Sequence, residues 1–227
     1  MHKPRSLQAV LSTDTALLIF SGFSVAFLHI LANGQYGFHR DELLSVNNAR
    51  HLAWGYVVYP PVTPFLGRVE LELFGASLRG FRLFAALSQG LVIVLTGLAT
   101  RELGGKREAQ LVAALAVAVG GHSLFSGSFM SYSSFDYLWW TAVAYFVIRL
   151  LKSENPRWWL AVGAAVGVGM LTKYTMGALA LGVAGGVLLT PTRRFLRSPW
   201  LWCGMAVTLL MMLPNVVWQV QHHFVSL

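Results

Sequence analysis

The sequence predicts an all-α polytopic membrane protein, with about seven transmembrane helices and a long first outer loop carrying amphipathic helices. Three observations predict it. Hydrophobic residues make up 56% of the 227 and charged residues only 11%, against about 25% charged in an ordinary globular domain. So few charges cannot coat a water-soluble particle, and so apolar a chain is not disordered. The charges are also bunched, leaving uncharged intervals long enough to be spans. Finally, basic residues fall on alternate sides of successive intervals, as the positive-inside rule requires.

The first interval, 15–38, follows a short basic head of Lys3 and Arg5. Its apolar run is longer than a signal-peptide core and Ala32-Asn33-Gly34 is a poor cleavage site, so it is read as a retained first span. The others are 83–100, 109–135, 137–148, 158–172, 174–192 and 198–227. The third is too long for one helix, and its tail of Ser126, Ser128, Ser131, Ser133 and Ser134 reads as a connection that leaves Asp136 near a helix start. With the N-terminus inside, 11 of the 17 Lys and Arg lie on the cytoplasmic side. The net charge of +8 is thereby explained without nucleic acid. Cys203 is the lone cysteine, so neither an internal disulfide nor a cysteine-based zinc site is encoded.

The first outer loop, 34–82, holds nine of the 26 formal charges. From Asp41 to Ala53 there is no Pro or Gly, and Leu43, Leu44, Val46, Ala49, Leu52 and Ala53 recur at helical spacing. This predicts an amphipathic helix on the membrane surface, stopped by Gly55. The Tyr59-Pro60-Pro61 segment is a rigid extended turn, because each proline fixes its own φ and disfavours helix before it. A second short helix over about 63–74 leads back to the membrane.

This topology carries Asp41, Glu42, Asp136, Lys173, His222 and His223 to the outer face from four different connections. Only 15 residues separate Arg157 from Lys173, about 22 Å of helix, so Lys173 is expected below the outer surface. Ionisable residues at such depth cost about 2.5–3.5 kcal/mol on insertion scales and are functional candidates. His222 and His223 are weak candidates for a divalent metal, with Asp41 or Glu42 as partners. His29 and His122 read as structural, and the Trp residues near span ends as an interfacial belt. Gly163, Gly167, Gly169, Gly177, Gly182, Gly185 and Gly186 read as small-residue helix contacts, because no phosphate-loop pattern accompanies them.

At Arg40-Asp41-Glu42-Leu43, His51-Leu52-Ala53-Trp54-Gly55-Tyr56, Pro60-Pro61, Leu171-Thr172-Lys173-Tyr174, Pro214-Asn215 and Trp218-Gln219, the chain resembles the GT-C glycosyltransferases. Within them it is most similar to the family 39, dolichyl-phosphate-mannose protein mannosyltransferase-like group. The resemblance runs from about Thr15 to the last residue. It implies a membrane enzyme that moves a sugar from a polyprenyl-phosphate donor to a lipid, glycan or protein hydroxyl on the outer face, by a single inverting displacement. It makes Asp41 the general base, with Glu42 completing the acidic pair, Asp136 the second outer-loop acid and Lys173 the donor-phosphate contact. Arg50, Tyr59, Pro60 and Pro61 would shape the same cavity. Where many relatives carry His or Lys before Pro-Pro this chain has Tyr59, so that contact falls to Arg50 or Arg68 or is absent. The group has further spans and often a soluble C-terminal domain, so 1–227 is expected to be one N-terminal transmembrane module. No cofactor is certain, a divalent metal being the open option. A bacterial inner membrane is the expected location, since the cytoplasmic loops are short and no retrieval signal is visible. A transporter, or a carrier-lipid binder without catalysis, is the competing reading of the same residues.

Overall fold

The computed structural model describes residues 7–226, with side chains from residue 13 onward. Lys3 and Arg5, which enter the orientation count, lie outside the described residues. Among those described there is no strand, and ten α-helices carry the architecture. They are α1 (Leu7–Ala32), α2 (Arg40–Arg50), α3 (Val62–Phe74), α4 (Leu83–Glu102), α5 (Arg107–Ala118), α6 (Gly121–Ser126), α7 (Tyr132–Ser153), α8 (Trp158–Met170), α9 (Met176–Leu189) and α10 (Pro199–Gln221).

Three helical stretches are long and apolar enough to cross a membrane: Thr13–Ala32, Gly80–Glu102 and Pro199–Gln221. A fourth arises if α9 and the 3-10 stretch Pro191–Arg197, bent by 102° at their junction, count as one span. The expected seven came from counting uncharged intervals, and several of these contain helix breaks. The 109–135 interval divides at Gly120, leaving α5 with 12 residues and α6 with 6. At about 1.5 Å per residue, α5, α8 and α9 reach about 18–21 Å against a hydrocarbon core of about 30 Å. α7 has 22 residues, with Asp136 near its start and Arg149 and Lys152 near its end.

Helix pairing depends on glycine where backbones meet. Gly22 of α1 and Gly90 of α4 face each other so closely that a Cβ on either would strike the other's carbonyl oxygen. Gly163 of α8 and Gly204 of α10 make the second such crossing, the close approach that small residues permit in lipid. By contrast, Gly182, Gly185 and Gly186 of α9 meet nothing within 4 Å. A buried cluster including Val143, Leu150, Trp159, Val162, Ala165 and Met176 packs α7, α8 and α9 together. Leu18, Ile93 and Ala114 join α1, α4 and α5.

The two ends of the bundle differ. At one end Glu102 pairs with Arg149 at 2.7 Å, Glu154 with Arg194 at 2.6 Å and Asp14 with Arg107 at 3.7 Å, so these acids are accounted for by neighbouring cations. At the other end lie α2, α3, α6, the α8–α9 turn and the end of α10.

Candidate active site

Glu42 and Asp41 are neighbours in sequence with opposite fates. Successive residues on an α-helix point about 100° apart, and α2 turns Glu42 inward and Asp41 outward. His39 caps the helix: its imidazole accepts from the Asp41 N–H at 3.3 Å, while its own N–H donates to Glu42 Oε2 at 2.8 Å. Glu42 is fully buried, with each oxygen engaged twice. Oε1 accepts from Arg82 Nε at 2.8 Å and the Met130 N–H at 2.9 Å, and Oε2 from Arg82 Nη2 at 2.6 Å and His39. Arg82 also donates to the carbonyls of Asn33 (2.6 Å), Tyr36 (3.3 Å) and Gly37 (2.9 Å). A guanidinium has five N–H groups, and all five are used. This pair joins the end of α1, the start of α2, the start of α4 and the α6–α7 link. Glu42, expected as a member of a catalytic acidic pair, has no oxygen left for a substrate.

The packed face of α2 is therefore Glu42, Ser45 and Ala49. Leu43 and Leu44 are exposed, so the leucines of the expected amphipathic pattern point away from the protein. Asp41 is exposed beside Arg40 at 3.3 Å and His39 at 3.8 Å. No hydrogen bond or ion pair joins it to Asp136 or Lys173 among the described residues. Arg50 is exposed on the last turn of α2.

Beneath Glu42 sits a second buried carboxyl. Glu70 of α3 accepts from the Phe84 N–H at 2.6 Å, at the start of α4, and its Oε2 has no partner. Burial pushes Glu70 up to about 8; the Phe84 hydrogen bond opposes this and the negative Glu42 adds to it.

Lys173 and Asp136 are brought together. Lys173 lies in the turn between α8 and α9, half-buried, with Nζ donating to the Val58 carbonyl at 3.0 Å and standing 4.2 Å from the centre of the Tyr132 ring. Asp136, one turn beyond Tyr132 on α7, accepts from Thr175 Oγ1 at 3.1 Å through Oδ2, while Oδ1 has no partner. Lys173 is close enough to act on the Asp136 charge. Tyr59 is buried, 5.9 Å from Tyr132 between ring centres, and its hydroxyl accepts from Asn48 at 2.9 Å. Pro60 and Pro61 are buried beside it, and the Val62 N–H donates to the Leu171 carbonyl at 3.0 Å. The proline turn is thereby pinned to the lysine turn.

Three alternate carbonyls of the segment 54–58 are held from the far part of the chain. Asn215 Nδ2 donates to the Trp54 carbonyl at 2.6 Å, Ser226 Oγ to that of Tyr56, and Lys173 to that of Val58. Tyr174 and Gln219 complete the network: the Tyr174 hydroxyl donates to Asn215 Oδ1 at 2.8 Å and accepts from Gln219 Nε2 at 2.6 Å. His222 stacks on Trp218 at 4.0 Å, with Nδ1 lying 2.8 Å from the Trp218 carbonyl. Among the described residues no three His, Cys, Asp or Glu side chains group as metal ligands.

The sequence reading did not single out Tyr132, Thr175 or Arg82 for these positions, and it named Asn215 only within the Pro214-Asn215 motif. For Arg82 the available signal was a cation directly before an apolar run, 40 residues after an acidic pair. What the arrangement offers chemically is an ammonium held by neutral groups, a carboxylate beside it with one unengaged oxygen, and a separate exposed carboxylate.

The chain is similar to the lipid A galacturonosyltransferase RgtD of Rhizobium johnstonii, at 28% identity over 217 residues, covering 93% of this chain and 45% of that protein. It thus spans about half the length of the curated relative it matches. No solved structure matches it. Residues 58–218 match the family described as dolichyl-phosphate-mannose-protein mannosyltransferase, a stretch that includes the Pro60-Pro61 turn, Asp136, Lys173 and Asn215. On a match over well more than half its length, the chain belongs to that family of membrane glycosyltransferases.

Proposed function

We propose that this chain supplies the donor-phosphate site and the general base of a glycosyltransferase that moves a sugar from a polyprenyl-phosphate carrier to an acceptor hydroxyl. The observation that carries the proposal is the setting of Lys173. Its ammonium is half-buried at the loop end of the bundle, donates to a neutral carbonyl, stands over a ring face and has the Asp136 carboxylate nearby without an ion-pair contact. A lipid phosphate is a stronger partner than the carbonyl or the ring, because a charge-assisted hydrogen bond is roughly twice as strong as a neutral one.

In this reading Asp41 takes the proton of the acceptor hydroxyl as its oxygen attacks the anomeric carbon. The bond from that carbon to the phosphate oxygen breaks on the opposite face, and the phosphate leaves with the electron pair. Lys173 stabilises the growing charge where water is scarce, and Asp136 keeps the ammonium oriented. Glu42 acts as a positioning residue, fixing the start of α2 from which Asp41 projects. General base catalysis of this kind contributes about 10²–10⁴-fold. The acceptor is a lipid, glycan or protein; the name of the Rhizobium relative, which prints lipid A for that protein, favours a lipid. The loop end faces away from the cytoplasm of a bacterial inner membrane, because the basic residues concentrate at the opposite end. Carrier-lipid binding without transfer is the second reading, favoured by the lack of any contact between Asp41 and the Lys173–Asp136 pair.

The test is transfer of radiolabelled sugar from polyprenyl phosphate in membranes containing the native polypeptide and its variants. Lys173→Gln is expected to weaken donor use, and Asp41→Asn to lower transfer about 10²-fold or more. Transfer unchanged in Asp41→Asn would remove Asp41 from the chemistry. Donor binding retained with no transfer in any form would establish the second reading.

A further inference from the structure

We infer that the bent segment after α9 is a docking surface for the headgroup of an anionic phospholipid of the cytoplasmic leaflet. The inference is independent of the transfer reading and uses only the placement of the chain in a membrane, basic end inward. α9 starts beside the Lys173 turn and ends at the far end of the bundle, where the 3-10 stretch Pro191–Arg197 leaves it at 102°. The stretch therefore runs across that end instead of continuing the span.

Its geometry decides which side chains are displayed. A 3-10 helix has three residues per turn, so residues i and i+3 stack in rows. Thr192, Phe195 and Ser198 form the row turned to the protein, with Phe195 buried against Trp159 at 6.2 Å between ring centres. The other two rows, Arg193 with Leu196 and Arg194 with Arg197, are exposed. Trp202 of α10 fastens the stretch from its far side, its indole N–H donating to the Leu196 carbonyl at 2.9 Å. The arginines thus stand on a held scaffold.

Their charge is largely unmatched. Glu154 is the last acidic residue in the sequence, and Arg194 takes it at 2.6 Å. Among the described residues Arg193 and Arg197 have no ion pair and no side-chain hydrogen bond, and Arg157, over the Trp200 ring at 5.7 Å, has no acid partner. Membrane topology asks only for positive charge on this side; it does not ask for unpaired guanidiniums fixed on one short turn. Guanidiniums fork onto phosphate oxygens, and about 8 Å of rise between Arg193 and Arg197 lets both converge on one phosphodiester. The surface next to them suits the rest of a lipid. Leu188 and Leu189 on the last turn of α9 are exposed, Leu189 by 88%, as is Trp202. A phosphate among the arginines with acyl chains along the leucines makes the occupant a lipid and not a free anion.

Native mass spectrometry of the full chain in maltoside micelles, titrated with dioleoyl phosphatidylglycerol or dioleoyl phosphatidylcholine, tests this. Phosphatidylglycerol is expected to bind about 25-fold more tightly, about fivefold for each of Arg193 and Arg197, as for basic residues at an anionic membrane surface. Arg193→Gln/Arg197→Gln should remove most of that preference. Lys106→Gln/Lys152→Gln, which takes the same charge from exposed positions at the same end, should keep it. Millimolar glycerol 3-phosphate should not displace the lipid. No preference in the unaltered chain, or equal losses in the two double variants, would overturn the site; displacement by glycerol 3-phosphate would overturn the lipid assignment in favour of a soluble anion. The comparison of two lipids and the competition use the unaltered chain, so they stand even if a variant fails to fold.

Discussion

Replacing Glu42 by Gln should destabilise the protein by about 3–5 kcal/mol, the cost of breaking a buried ion pair from one side. The structure gives the same magnitude independently. The carboxylate accepts four hydrogen bonds, two from Arg82 and two from backbone N–H groups. A glutamine keeps one acceptor oxygen, so two of the four are lost and its NH₂ faces donors. Hydrogen bonds to charged groups are worth about 1.5–3 kcal/mol each, which puts the loss near 3–6 kcal/mol. The assay is reversible unfolding in mixed micelles of rising SDS fraction, followed by tryptophan fluorescence. Arg82→Met alone should cost a similar amount by stranding the carboxylate, while the double variant should cost clearly less than the sum, with a coupling of about 2–3 kcal/mol. A Glu42→Gln loss below about 1 kcal/mol, or strict additivity in the double variant, would refute the assignment of Glu42 to a buried ion pair.

Glu70 gives a pH dependence of defined sign. The folded chain keeps its proton up to about pH 8 while the unfolded chain releases it near 4.5. Its contribution is therefore full below about pH 4.5, falls as pH rises to about 8 and is constant above; Glu70→Gln should flatten the unfolding midpoint between pH 5 and 8. Gly163→Ala drives a methyl into the Gly204 carbonyl and should cost about 1–3 kcal/mol, whereas Gly182→Ala, in open space, should gain about 0.5–1 kcal/mol of helix stability in the same assay. Tyr174→Phe removes the hydroxyl that links Asn215 to Gln219. At about 1 kcal/mol per net hydrogen bond, amide exchange across 54–58 should quicken about fivefold.

Much of the helical order was legible because apolar runs and charge clusters are local signals. Helices occupy both expected stretches of the first outer loop, α2 stopping at Arg50, three residues short of Ala53, and α3 at Phe74. The number of spans was less legible, since an uncharged interval does not reveal a break such as Gly120 or the bend after Leu189. At the site, Lys173 and Asp136 were readable as costly charges on one side of the topology. The separate fates of Asp41 and Glu42 were not, because which one turns inward is decided by Arg82, 40 residues away and paired through folding alone. The aromatic neighbour of Lys173 was hidden for another reason: in a chain with 13% aromatic residues, Tyr132 looks like any other until the α8–α9 turn lays Lys173 over its ring.

The three tethers on the carbonyls of Trp54, Tyr56 and Val58 come from residues 161, 170 and 115 positions later in the chain. During synthesis the 54–58 segment therefore leaves the ribosome long before anything exists to hold it. Its first anchor becomes available with Lys173, the second with Asn215 and the third with Ser226 after α10. The 54–58 segment is thus fully fixed only once α10 is in place, and an error in placing that helix would leave α1–α9 packed with the loop between α2 and α3 untethered at Trp54 and Tyr56.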